Sequence, residues 1–212
     1  MAAARPPVAS PRRGRPPRTD EQRAAHRNRL VESTIAAVRE HGPEVSVDDL
    51  AAAAGVSKPV LYDVFGDKLG LADAVAVVVT KQLELQVLAD LSTGDGFDLG
   101  GAVHAVIDAL VRFVESEPEL YVFLVRSIRA PERGLLDNAL LAVLHERAHV
   151  MVGSIAPGLG EASLRILTDG LFGFVFASVE SWLASRQPPR DELVDTLTRV
   201  IQTGFAVVTP DP

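Results

Sequence analysis

Cysteine is absent from all 212 residues. Its absence excludes a disulfide framework, a thiolate zinc finger and cysteine catalysis in one step, and it suits a reducing compartment. Long apolar runs are missing as well. The longest, Val75–Val79 and Leu171–Ala177, fall far short of the roughly 20 residues that a bilayer-spanning helix needs. The N-terminus is arginine-rich but has no apolar segment of the signal-peptide kind, because Leu30–Val38 is broken by Glu32 and already fits a helix. A secretory signal is therefore not expected, and an organelle transit peptide stays open. Strand patterns are hard to find, and neither a glycine-rich phosphate loop nor a Ser-His-Asp grouping stands out.

What remains is globular in composition, with 47% hydrophobic and 23% charged residues, and long enough for one ordinary domain or two small ones. The net charge of −7 conceals an asymmetry. Residues 1–29 hold eight arginines against Asp20 and Glu21, a balance of +6; the rest keeps 13 of the 21 basic and 26 of the 28 acidic residues, a balance of −13. Nucleic acid would be repelled by such a body except at the end carrying the arm.

The most informative stretch is Ser46–Lys68, SVDDLAAAAGVSKPVLYDVFGDK. Ser46 is placed to N-cap a short helix through Leu50 and Ala54, and Gly55 supplies a left-handed residue to end it. Ser57 is a second N-cap, with Pro59 tolerated in a first turn that needs no amide donor. Val56 and Leu61 are spaced as a hydrophobic staple across that start. Two short helices joined by a glycine turn form the helix-turn-helix unit, whose second helix enters the DNA major groove. On that second helix, Leu61, Val64 and Phe65 share an inward face, Pro59 and Asp63 lie opposite, and Val60 and Tyr62 flank.

Elsewhere the pattern predicts helices throughout. Residues 1–18 are rich in Pro, Ala and Arg and are expected to be disordered. Thr19 and Gln22 form a capping box before Leu30, Val31, Thr34, Ile35 and Val38 at helical spacing, and Gly42-Pro43 closes that helix. Asp67 caps a fourth helix towards Leu91, and 92–100 reads as a loop. Further helices are expected at 101–116, Pro118–Arg129, about Leu135–Val152, roughly 161–186 and Asp191 to about Val207, with a loop at 153–160. The last two are apolar on most sides, as expected if one side of each faces a second subunit.

The order of arm, capped helix, helix-turn-helix, fourth helix and helical remainder resembles the TetR (tetracycline-repressor-like) family of transcriptional regulators, most specifically over residues 19–75. The fold expected is all-α with about nine helices: a basic arm (1–18), a helix-turn-helix domain (19–66) and a helical effector-binding and dimerisation domain (67–212). The resemblance implies a repressor acting as a homodimer on a pseudo-palindromic operator and released by a small molecule. The expected setting is cytoplasmic and nucleoid-associated, with no membrane partner, no cofactor and no catalytic role.

Candidate DNA contacts follow from the helix geometry. Lys58 and Tyr62 are assigned to phosphate or base edges, Pro59 and Val60 to apolar contact with a base, and the caps Ser46 and Ser57 to phosphates as well. Lys68 matches a lysine that commonly touches the DNA backbone in that family. The chain departs from the family at Val64, where an aromatic residue or histidine is frequent, and at the outward Asp63. Residues 46–68 hold two lysines and four aspartates, so the arm must supply positive charge. Arg12, Arg13, Arg15 and Arg18 do so, and Arg13-Gly14-Arg15-Pro16-Pro17 resembles the Arg-Gly-Arg-Pro core of minor-groove AT-hooks. An architectural binder of A·T-rich DNA led by this arm is the alternative.

An enzyme reading rests on His145-Glu146-Arg147-Ala148-His149, which matches H-E-x-x-H. Two histidines four apart share a helix face and could hold zinc, with Glu146 as general base, or form a metal-sensing site. The extended pattern fails because Val152 and Ile155 occupy its glycine and third-histidine positions, and neither Glu161 nor Glu180 is well placed as a substitute. Candidates for an effector pocket are Phe113, Tyr121, Phe123, Arg126, His145, His149, Phe172, Phe176 and Trp182, a lining that points to a hydrophobic ligand.

Overall fold

The computed structural model describes residues 19–92, 99–128, 139–155 and 157–208. Within them the protein is all-α: nine helices and no strand. The first three make a small head. α1 (Asp20–His41) opens on the expected capping box, in which the Gln22 amide donates to Thr19 Oγ1 and the Thr19 amide to Gln22 Oε1. One face of α1 buries Leu30, Val31, Thr34, Ile35 and Val38, the residues set at helical spacing in the sequence. α2 (Val47–Ala53) and α3 (Lys58–Phe65) follow. Gly55 between them has φ +64°, a left-handed conformation that a residue with a Cβ adopts at a cost.

α4 (Lys68–Ser92) joins the head to the body. Asp67 Oδ1 accepts from the Gly70 amide at 2.7 Å, the cap expected of it. A Cβ on Gly70 would lie 2.0 Å from the Phe65 carbonyl oxygen, so glycine lets the first turn of α4 pass directly under the end of α3. α4 then packs against α1 and α3 of the head and against α5 (Leu99–Ser116), α6 (Pro118–Ile128) and α7 (Ala139–Ile155) of the body. Two polar ties reinforce the joint. Arg39 of α1 grips Glu117 with two hydrogen bonds, Nε to Oε2 at 2.8 Å and Nη2 to Oε1 at 2.5 Å. This carboxylate partner raises the Arg39 pKa. Lys68 Nζ donates to the Val45 carbonyl at 2.8 Å while lying 5.8 Å from the Phe123 ring centroid.

The outer layer is α8 (Glu161–Ser185) and α9 (Arg190–Val208), packed chiefly on α7 and α5 respectively. Asp108 of α5 accepts from Arg112 Nη2 at 2.5 Å and from Arg190 Nη1 at 3.1 Å, and Arg112 also reaches Asp90 of α4. Helix boundaries match the sequence expectations to within a few residues, with two differences. α5 begins at Leu99, and α7 continues to Ile155, into the loop expected from 153. The expected start of α7 near Leu135 lies outside the described residues, as does the arm 1–18.

α8 also tempers the expectation about membranes. No uninterrupted apolar run is long, yet by length and composition this 25-residue helix could cross a bilayer, and only 11% of its most apolar window is buried. The difference arises because Thr168, Asp169, Gly170 and Glu180 interrupt the runs without lowering the average much. On its outward side Ile166 is 73% and Phe174 39% exposed, and Val200 of α9 is 49% exposed. A Cβ on Gly170, Gly173 or Gly204 would meet open space.

Candidate nucleic-acid interface and apolar cavity

The helix-turn-helix closes through its backbone. The Gly55 amide donates to Ala52 O and the Val56 amide to Ala51 O, both at 3.0 Å. Ser46 caps α2, its Oγ accepting from the Asp49 amide at 3.2 Å and donating to Asp49 Oδ2 at 2.6 Å. Ser57 stands at the N-cap of α3, and its carbonyl accepts from Val60 and Leu61. Its hydroxyl makes no capping bond; the capping role expected of that side chain is therefore filled by backbone alone. Leu61 and Phe65 are buried, while Val56 and Val64 pack partly against the same core. Pro59, Tyr62 and Asp63 are exposed and Val60 is half-buried, so α3 turns outward the face assigned to DNA.

The basic charge of α3 is already engaged. Lys58 Nζ sits 3.0 Å from Asp48 Oδ2 across the turn, and that hydrogen bond, with the carboxylate charge, raises the Lys58 pKa. Lys68 Nζ donates to Val45 O and lies near the Phe123 ring, as described above, which occupies one of the three donors of its ammonium. Arg12, Arg13, Arg15 and Arg18 lie outside the described residues. One residue missed in the sequence is Arg27 of α1. It donates to the Val64 carbonyl at 3.1 Å and stacks 4.6 Å from the Phe65 centroid, which fixes the C-terminal end of α3. Only the tertiary approach of Arg27 to the end of α3 brings these residues together, and nothing local in the sequence signals it.

In the body, α4, α5, α7 and α8, with Tyr121 and Val125 of α6 and Ile201 of α9, line a cavity of about 460 Å³, a size suited to a small-molecule ligand. Its lining is apolar except at Glu84, Tyr121 and Arg147. Arg147 Nε donates to Glu84 Oε1 at 2.9 Å and ties α7 to α4, and the Tyr121 hydroxyl donates to Glu180 Oε1 at 2.5 Å. Of the residues proposed for a pocket, Tyr121, Phe172 and Phe176 line this cavity. Phe113, Phe123, His145, His149 and Trp182 do not. Phe113 meets the Tyr121 ring edge-on, Phe123 is buried beneath Lys68, and the Trp182 indole donates to Pro188 O at 2.8 Å. The Arg126 side chain lies outside the described residues. Aliphatic residues such as Leu83, Val87, Ile107, Met151 and Leu171 form most of the wall. In sequence they read simply as core.

The H-E-x-x-H histidines sit on α7 and reach towards α8. His145 Nε2 lies 2.6 Å from Asp169 Oδ1, and His149 Nε2 lies 3.5 Å from Glu161 Oε1. Their rings are stacked with centroids 6.5 Å apart. Each imidazole thus meets a separate carboxylate of the neighbouring helix. Among the described residues no three His, Asp or Glu side chains converge as a metal site would require.

Known proteins share both halves of this arrangement. Residues 30–75 match the family of bacterial regulatory proteins called tetR, and residues 97–211 match the tetracyclin repressor-like C-terminal domain. An uncharacterized HTH-type transcriptional regulator from Mycobacterium tuberculosis is 32% identical over 206 residues, which cover 93% of this chain and 85% of the relative. Among solved structures, a tetR-family transcriptional regulator from Streptomyces coelicolor superposes with a TM-score of 0.64 at 24% identity, over 87% of this chain and 80% of that one. The regulator FadR from Bacillus subtilis, in complex with stearoyl-CoA, gives 0.63 at 13% identity, over 82% and 96%. The chain belongs to the TetR family of transcriptional regulators and carries that family's DNA-binding helix-turn-helix.

Proposed function

We propose that the protein is a ligand-responsive repressor that binds a pseudo-palindromic operator as a homodimer and leaves it when an apolar small molecule fills the α4–α5–α7–α8 cavity. One observation carries this reading: α4 forms part of the cavity wall through Leu83, Glu84, Val87 and Leu88, and the same helix packs on α1 and α3 of the head. A ligand that favours a different setting of α4 therefore biases the position of the reading helix, by no more than its difference in affinity for the two settings. The apolar lining suits a hydrophobic effector, and the stearoyl-CoA held by the Bacillus subtilis FadR supports ligand binding in a protein of this fold.

Dimerisation is assigned to the outward faces of α8 and α9, where apolar side chains and glycines stand open. Two such copies would set their recognition helices about 34 Å apart, one turn of duplex. The DNA contacts proposed are Ser46, Ser57, Lys58, Pro59, Val60 and Tyr62, with Lys68 and the arginines of the arm on phosphates. Residues 19–66 then act as the reading domain and 67–212 as the effector and dimerisation domain, in the cytoplasm at the nucleoid. The test is selection from random duplexes, read by fluorescence anisotropy, for the full chain and for residues 19–212. Both should enrich one inverted repeat, the shorter chain more weakly and with a shallower salt dependence. Enrichment of unsymmetrical A·T tracts by the full chain alone would instead assign binding to the arm.

A further inference from the structure

The helix-turn-helix segment 46–68 contains four aspartates, and three have structural work. Asp48 pairs with Lys58, Asp49 accepts from the Ser46 hydroxyl while its own backbone amide donates to Ser46 Oγ, and Asp67 caps α4 through the Gly70 amide. Asp63 differs. It is exposed on α3, one helical turn beyond Pro59 and opposite the buried Leu61 and Phe65, and among the described residues it has neither hydrogen bond nor ion pair. A free carboxylate facing a polyanion is unfavourable unless the DNA itself supplies a donor.

We propose that Asp63 determines operator specificity by accepting a hydrogen bond from the N4 amine of a cytosine in each half-site. The inference rests on the operator-binding reading above. In the major groove only cytosine and adenine present an amine donor. Adenine sets its N6 beside the acceptor N7, which repels a carboxylate, whereas the groove edge of cytosine offers the N4 donor. The alternative route to a G·C pair, a basic side chain on guanine O6 and N7, has one candidate on α3, Lys58, which lies in the first turn, more than a turn before Asp63, and starts paired with Asp48. The carboxylate is thus the ionised group that the outward face has ready for base readout.

The experiment selects operators from random duplexes with the full-length protein and with Asp63→Asn and Asp63→Ala, each checked for an unchanged melting temperature. Wild type should enrich an inverted repeat with cytosine fixed at one position per half-site. Asp63→Ala should lose about tenfold discrimination at that position alone, roughly the loss expected for a single base contact. Asp63→Asn, which can donate to N7 while accepting from N6, should shift the preference towards adenine. Variants that enrich the wild-type sequence with the same preference at every position overturn the proposal. A uniform gain in affinity on all duplexes with unchanged preference also overturns it, since that marks a carboxylate that merely repels phosphate. If wild type enriches no inverted repeat, the operator reading fails and this proposal with it; loss of discrimination confined to the variants separates the two.

Discussion

Lys58 and Asp48 face each other across the turn of the helix-turn-helix, so the cation best placed for phosphate starts in an ion pair. In the proposed complex, DNA competes with Asp48 for it. Asp48→Ala should therefore strengthen binding to any duplex and steepen the dependence of affinity on salt by about one phosphate contact, measured as anisotropy titrations from low to high salt. Gly70 makes the second prediction at this scale. A methyl group on its Cα collides with the Phe65 backbone, which cannot swing away as a side chain could. Gly70→Ala should cost about 1–3 kcal/mol in denaturant unfolding. Residues whose partners lie within one turn were legible in the sequence: the Thr19–Gln22 box, Ser46, Gly55 and Asp67 all act where they were placed. Arg27 on Val64 O and Arg39 on Glu117 were not, because each pair spans a helix crossing that no local pattern encodes.

Among the elements, the helices themselves were readable from local signals that differ between them: caps at Thr19, Ser46 and Asp67, prolines at the starts of α3 and α6, and 3.6-residue periodicity on α1. The cavity was not. An aliphatic residue on a helix face looks the same in sequence whether it meets a neighbour or a void, so Val87 and Ile107 were legible only as core. The aromatic residues singled out instead divided between wall and interior, with Phe172 in the wall and Phe123 under Lys68. H-E-x-x-H shows the same ambiguity for polar groups, since helical spacing that could clasp a metal equally serves to reach two acids on α8. Asp108 links three elements, holding Arg112 of α5 and Arg190 of α9 while Arg112 reaches Asp90 of α4. Asp108→Ala should leave the two guanidinium groups facing each other and lower stability by about 1–2 kcal/mol, discounted for partial exposure. Chemical denaturation of the variant checks this, and its helix content by circular dichroism should be unchanged.

For the whole molecule, two variants separate assembly from response. Ile166→Asp with Phe174→Asp places charges on the open face of α8, and sedimentation should then report a monomer with operator affinity reduced at least tenfold while far-UV circular dichroism is retained. Val175→Trp projects an indole into the cavity. It should abolish uptake of an apolar dye such as Nile red, read by fluorescence, while sedimentation still reports the assembly state of the unmodified protein.

α4 runs unbroken from Lys68 to Ser92. Leu71, buried near the head, and Val87, on the cavity wall, are separated by about 24 Å at 1.5 Å per residue. A rigid rod of that length is a lever. A tilt of about 5° displaces one end by about 2 Å relative to the other over this length, and two copies related by a twofold axis would double the change in separation between their heads. If two copies bind one duplex as proposed, their groove contacts must register with its fixed pitch, and the gain of the lever, more than the size of any rearrangement around a ligand, would set how small a molecule could act as a signal.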